Sequence, residues 1–452
     1  MRFSFVVASF LLPQEAIAFV IPSANNKQFH QNIALEARPL HTEITKAVGA
    51  AALTLAVSLG NPSIPHIIAP QTAIASVAPL ADVGLREFLV KDGRTFLRLN
   101  LPTSLPTSTD PVELGDKGRQ IQESIELVRL RLEQVGFSGR TPVWNASLKD
   151  VKAAKSLSES FSEDVLKTIP SNKQTEAKEL LSKASEKLDL LAEAVGIQDI
   201  DSTLKLQEEC SSLIYDVRAL SLLVAPFPYS IPEEYSQLPV LKGRAVVECT
   251  IAKTRRPFKL GTGVQSAETT FVMLIDGYHA PVTAGNFVDL IERKFYDGLV
   301  INTAGELIVQ TGNPFGANGA STDGFVDPNT KEKRVIPLEL FYKKDTQPTY
   351  EYTSDDDLRA TDSMANPFQA YGAIGFAHDA EDANTGSSQF WFLKWNQALV
   401  APGRNTLDGS QACLGYVVRN QDLLAQLEKG DLIKSVRVVE GLENFSTGLK
   451  PN

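Results

Sequence analysis

Between Arg119 and Val224, apolar residues recur at intervals of three and four. Ile121, Ile125, Val128, Leu132 and Val135 form one series, and Ala177, Leu181, Ala184, Leu188, Leu191 and Val195 a second. Leu206, Cys210, Leu213, Val217, Leu220 and Val224 form a third. This spacing puts each series on one helical face, and such faces require burial against one another. A weaker repeat predicts a helix from about Leu148 to Ile169 and a short one near Asp82–Leu97. Residues 82–225 are therefore read as an all-α bundle of four or five helices, with turns at Gly136, Pro170 and Gly196. At Ala225 the pattern stops. Pro226, Pro228, Pro232 and Pro239 make 226–240 an extended linker. A stiff connection of about fifteen residues keeps the bundle close to the C-terminal part of the chain, so the two are expected to pack together.

From Lys242 onward the pattern changes to short β-branched and aromatic runs broken by Gly and Pro. Lys242–Ala252, Leu299–Ile301, Leu307–Thr311 and Ile374–His378 read as strands. One helix interrupts them: Pro281 stands in its first turn, Thr283 or Asn286 can cap it, and Phe287, Leu290 and Ile291 share its apolar face. Pattern alone is equally satisfied by an antiparallel β domain with a capping helix and no ligand.

The first 75 residues differ from the rest. Arg2 precedes the apolar run Phe3–Leu12, and Ala16-Ile17-Ala18 offers a small-residue cleavage site before Phe19, so 1–18 reads as a secretory signal peptide. The run is about half the length a membrane span needs. Lys46 then introduces a second apolar stretch, Ala47–Leu59, and Ala73-Ile74-Ala75 closes it. Two such signals in series imply two membranes crossed, with 19–75 acting as a transit segment and second signal; a single signal followed by a core helix over 47–59 is the alternative. Removing residues 1–75 takes away four Lys/Arg of 44 and three Asp/Glu of 54, which moves the formal charge from −10 to −11. That balance suits neither nucleic acid nor an anionic membrane. Cys210, Cys249 and Cys413 have no CxxC or Cys/His spacing, so they are read as buried free thiols, one disulfide being the alternative. No metal and no cofactor is expected.

PVTAGNFVDLIERKFY at Pro281–Tyr296, the run DGLVINTAGELIVQTGN after it, and the later NTGSSQFWF together resemble the cyclophilin-type prolyl isomerases over about 210 residues. FPYSIPEEYSQLPVLKGRA, GFVDPNTKEKRVIPLEL and KGDLIKSVRVVEGLENF are similar to thylakoid-lumen cyclophilins that carry an N-terminal helical domain. The fold class implied is a multidomain α and β protein: the helical bundle plus, over 241–452, a closed antiparallel β-barrel capped by helices. The double leader resembles that of lumenal proteins in algae with plastids of secondary origin.

What the resemblance implies for the site is mixed. An X–Pro amide turns over spontaneously in tens to hundreds of seconds, and a catalyst must weaken its conjugation. The family grips the proline ring in an apolar pocket and places an Arg near the amide. Leu307, Ile308, Gln310, Ala377 and Gln389 match the groove positions, and Trp391 stands where Phe is usual. The Arg position is Thr303, and no Arg occurs between Arg293 and Arg334. Leu407-Asp408-Gly409 matches, but Thr406 replaces the usual Trp and Gln411 the usual His, and no His follows His378. Thr cannot supply a delocalised cation with five donors. The implied function is a groove for proline-containing lumenal segments, including those of photosystem II subunits, with weak or absent turnover. The competing reading is a regulatory or scaffold protein acting through its helical bundle.

Overall fold

The computed structural model describes residues 90, 92–102, 117–135, 141–261, 263–314, 324–394 and 406–448. The leader expected in the first 75 residues lies outside them, as does the start of the helix expected near Asp82–Leu97. A short helix α1 spans Gly93–Leu99, capped by the Asp92 carboxylate accepting from the Thr95 N–H at 3.1 Å. Four longer helices complete the region: α2 (Lys117–Val135), α3 (Thr141–Leu166), α4 (Gln174–Gly196) and α5 (Ile200–Ser221). The apolar series meet in one core, where Ile121, Ile125 and Val128 of α2 lie with Leu188 and Leu191 of α4 and Cys210, Ile214 and Val217 of α5. Helix α3 begins seven residues before Leu148, because Val143 and Trp144 are also buried in that core.

The second region is an eight-stranded antiparallel sheet. Its strands are β1 (Arg244–Ala252), β2 (Glu268–Asp276), β3 (Thr303–Ala304), β4 (Ile308–Thr311), β5 (Ala373–Phe376), β6 (Phe390–Leu393), β7 (Ala412–Arg419) and β8 (Leu432–Glu440), in the order β8-β1-β2-β7-β5-β6-β4-β3. Helix α6 (Pro281–Glu292) lays Phe287, Val288 and Ile291 into a core with Cys249 of β1, Phe271 of β2 and Phe390 and Phe392 of β6.

Three expectations need correction. The closed barrel does not form: the ladder ends at β8 and β3, and Leu299–Ile301 is not a strand. Within that segment Ile433 N–H bonds Leu299 O, a single bridge joins Val300 to Leu432, and Asn302 N–H already bonds Gln310 O on β4. The chain crosses from β8 toward β4 within a few residues, making one bridge to β8 and pairing with β4 only from Thr303 onward, as β3. Among the described residues one α-helix of this region, α6, and not several, packs on the sheet, and the 3-10 turn Gln421–Gln426 adds Leu423 and Leu424 to the core. Thr283 and Asn286 do not cap α6. Both are fully buried inside it, and the donors at its start, the Val282 and Thr283 N–H groups, bond the Glu339 carboxylate at 3.2 and 2.9 Å. A carboxyl group placed at a helix N-terminus gives the otherwise orphaned N–H donors an acceptor.

The linker is pinned rather than free. Phe227 stacks on Tyr278 at 6.1 Å, the Tyr229 hydroxyl donates to Tyr278 O at 2.8 Å, and Val240–Leu241 pairs with Phe445–Ser446. The three cysteines are buried free thiols, pushed up to about 12 by burial.

Candidate functional site

Strand register assembles the site on the sheet face opposite the core. Thr303 pairs with Gln310, Gln310 with Trp391, and Trp391 with Gly375, so the four lie side by side across β3, β4, β6 and β5. Residues directly opposite in an antiparallel pair share a face. Their neighbours Val309, Phe390 and Phe392 point the other way, into the core. One step along, Ala377 N–H bonds Gln389 O at 2.9 Å, and Gln310 Nε2 donates to Gln389 Oε1 at 2.9 Å. Ile308, Ala377, Trp391 and Leu407 belong to one apolar cluster. Gln310 and Gln389 hold each other in place between that cluster and Thr303, which is exposed at the sheet edge.

Two expected lining residues stand apart. Leu307 lies on the turn before β4, where its carbonyl accepts the Lys394 N–H at 2.6 Å, and it is not part of the cluster. Thr406 is exposed, and its carbonyl accepts the Ser410 hydroxyl at 2.8 Å.

Trp391 is only 4 % exposed. Its indole lies over Gly375, where a Cβ would approach Cζ2 to 2.0 Å, and it stacks on Phe368 at 4.9 Å. Beyond Phe368 the cluster continues through Tyr416 to Leu97 of α1. The indole thus joins the apolar cluster beside Gln310 and Gln389 to the helix lodged between the bundle and the sheet. Helix α1 is held from both sides. Arg98 grips Glu208 at 2.6 and 3.2 Å, Arg218 donates to the carbonyls of Arg98 and Leu101 at 2.7 and 3.0 Å, and Phe96 stacks on Tyr416 at 5.9 Å.

The far wall contains the residue that reading the sequence missed. Gln411 lies 2.7 Å from Nε2 of His378 through its own Nε2. The ring is held on both sides, with Nδ1 2.8 Å from Asp379 O and Nε2 also 2.8 Å from Ser410 O. An imidazole is therefore present at this wall, supplied by the end of β5 instead of β7. The signal was available: β5 and β7 run antiparallel with Phe376 opposite Ala412, which brings position 378 beside 410 and 411. Asp408, in the same loop, accepts the Phe368 N–H at 2.7 Å, yet burial pushes its carboxyl up to about 6.

A second polar centre lies where the helical region meets the sheet. Asp276, fully buried, is held between Arg244 at 3.2 Å, His279 Nδ1 at 2.8 Å and Asn366 at 3.0 Å, while Arg244 also reaches the Tyr215 hydroxyl of α5 at 3.3 Å. The buried guanidinium keeps the Asp276 carboxyl far below the usual carboxylate range against the opposing effect of burial. Among the described residues there is no group of three His, Cys, Asp or Glu that could hold a metal, and no helix long and apolar enough to cross a membrane.

An antiparallel sheet with Gln310 and Trp391 paired on one face, Gln389 and Ala377 one step along, and α6 packed on the other face is the arrangement of a cyclophilin-type fold. Comparison with known proteins agrees. Residues 262–443 match the family described as cyclophilin type peptidyl-prolyl cis-trans isomerase/CLD, and residues 92–220 match the PsbQ-like domain of the CYP38-like peptidyl-prolyl cis-trans isomerases. The chain belongs to the cyclophilin-type peptidyl-prolyl cis-trans isomerase family. It is 38% identical over 361 residues to the Synechocystis protein named thylakoid lumen peptidyl-prolyl cis-trans isomerase sll0408, covering 79% of this chain and 85% of that one. To the Arabidopsis thaliana chloroplastic isomerase CYP38 it is 32% identical over 418 residues, covering 90% and 89%. To CYP37 of the same plant it is 27% identical over 343 residues, covering 73% and 69%.

Proposed function

We propose that this chain is a cyclophilin of the thylakoid lumen that binds proline-containing segments of lumenal proteins and turns them over weakly or not at all. The observation that carries the reading is the row Thr303–Gln310–Trp391. Gln310 and Gln389 pair beside the apolar cluster and would meet the amide, while Thr303 offers only a hydroxyl where this reading requires a guanidinium for turnover. Charge-assisted donation to a twisting amide is a contribution of the kind worth about 2.7–4 kcal/mol, or roughly 10²–10³ in rate. Binding needs only the floor, the paired glutamines and the wall at His378 and Gln411. Gln310 would orient the peptide carbonyl, and Ile308, Ala377, Trp391 and Leu407 would border the proline. The lumenal location follows the names of the relatives and the double leader.

In the finer reading, residues 1–18 act as a signal peptide and 19–75 as a transit segment and lumen signal in an alga with a plastid of secondary origin. Residues 82–225 form the helical domain, 226–240 the linker and 241–452 the isomerase-type domain. The clients are segments met during photosystem II assembly or maintenance. Because α1 packs against the cluster that includes Trp391, the helical domain also shapes the groove floor, which favours a regulatory contribution from that domain.

Titration of the full mature protein with a labelled Ala-Pro-containing peptide tests the reading. Saturable binding that is lost in Gln310→Ala is expected, and no binding by the wild type would contradict it. Mass spectrometry of the native protein should find its N-terminus within a few residues of Ser76; retention of 47–59 would contradict the lumenal leader.

A further inference from the structure

We propose that Leu358 is a specificity residue of this groove, an apolar anchor for a residue flanking the proline of a bound segment that also carries a positive charge; the inference rests on the groove reading above. Leu358 is 92 % exposed and has a left-handed backbone, φ 57°. A γ-branched residue adopts that conformation at a cost which Gly or Asn largely avoids. Folding gains nothing from either property, and a strained, exposed apolar side chain held in place points to a use.

It is held firmly. Asp357 N–H bonds Thr353 O at 3.0 Å and Arg359 N–H bonds Ser354 O at 2.7 Å, closing a turn. The Thr353 hydroxyl donates to Asp356 at 2.7 Å, and the Asp356 N–H returns to that hydroxyl at 3.2 Å. Arg359 lies 3.6 Å over the buried Tyr342 ring, grips Asp345 through two nitrogens at 2.7 and 2.9 Å and reaches Asp362 at 2.8 Å. Leu358 is therefore presented by a fixed turn rather than by a loose loop.

The turn adjoins the groove wall. Ser354 N–H bonds Gly409 O at 2.7 Å, and Gly409, at φ 81°, has no room for a Cβ because Ser354 Oγ would lie 2.0 Å away. Gly409 sits between Leu407 and Gln411, both groove residues. The surroundings are acidic. Asp355 and Asp356 are exposed beside Leu358, while the charge of Arg359 is met by Asp345, Asp357 and Asp362. A partner with an apolar residue next to proline and a Lys or Arg nearby complements this surface.

The test uses the full mature protein and two peptides that differ only in Lys or Glu close to a Leu-Pro pair. Wild type should prefer the Lys peptide. Leu358→Gly and Leu358→Ser should each weaken its binding about tenfold, as expected for losing one buried Leu contact. Leu358→Gly should melt at or above the wild-type temperature, since Gly takes the positive φ freely, so its loss of binding would not be a loss of fold. Unchanged affinity in both variants, with binding still abolished by Gln310→Ala, overturns the anchor and leaves the groove; no binding by wild type overturns both.

Discussion

The helical region and the sheet region both bury charge, but to different ends. In the helical region the carboxylate of Glu126, 1 % exposed, accepts from Thr95 of α1, Gln122 of α2 and Gln207 of α5 at 3.1–3.2 Å. That network fixes α1 to the bundle. In the sheet region Asp276 and Arg244 tie β1 and β2 to the segment at Asn366 and, through Tyr215, to α5. One network organises a domain and the other organises a junction. Between them, Leu97 of α1 and Trp391 of β6 share a cluster. A buried pair that is satisfied adds little net stability, whereas breaking one is costly; the comparison therefore predicts unequal consequences when each link is cut.

The largest effect should come from Asp276→Ala. It leaves Arg244 buried without its carboxylate and should cost about 3–5 kcal/mol in denaturant unfolding. A loss under about 1 kcal/mol, the scale of an exposed pair, would mean the junction network is incidental.

Leu97→Ala comes next. It removes a buried side chain between the two regions and should cost about 2–4 kcal/mol, and it should shift tryptophan emission to the red as Trp391 gains water. Stability lost with unchanged emission would separate α1 from the groove floor.

The smallest effect concerns Glu339, which burial raises to about 7 although it accepts two helix N–H groups. The folded state holds this proton more tightly than the unfolded chain does. Its contribution is therefore most favourable below the unfolded value of 4.5, and stability is lost as pH rises toward 7. The slope is at most about 1.4 kcal/mol per pH unit. Glu339→Gln should flatten the stability profile between about pH 5 and 7, measured by thermal unfolding. An unaltered profile would place the titration elsewhere.

The helices were legible because their burial is local: a stripe such as Ile121, Ile125 and Val128 records the same face that the core uses. The sheet was legible only in pieces. Alternation locates β1 and β4, but the crossing at Leu299–Ile301 and the open ladder depend on which strand the segment meets next. The cap of α6 was illegible for the same reason, since Glu339 lies more than fifty residues from Val282. At the groove, residues read from local motifs, Gln310, Ala377, Gln389 and Trp391, do come together. His378 was passed over because its partner, Gln411, is brought to it by strand pairing. Helix α1 was expected near 82–97, but nothing in its sequence shows that Leu97 would share a cluster with Trp391.

The proposed function turns on Thr303, which would leave the peptide amide without a guanidinium beside it. The direct measurement is the rate of X–Pro isomerisation by the full mature protein and by Thr303→Arg, on one peptide and at one pH. The wild type should be at least about a hundredfold slower than an Arg-bearing cyclophilin. Thr303→Arg should recover part of that deficit, held back by Thr406 and Gln411. A wild-type rate equal to that of the Arg-bearing enzyme, unchanged by Thr303→Arg, would contradict the account.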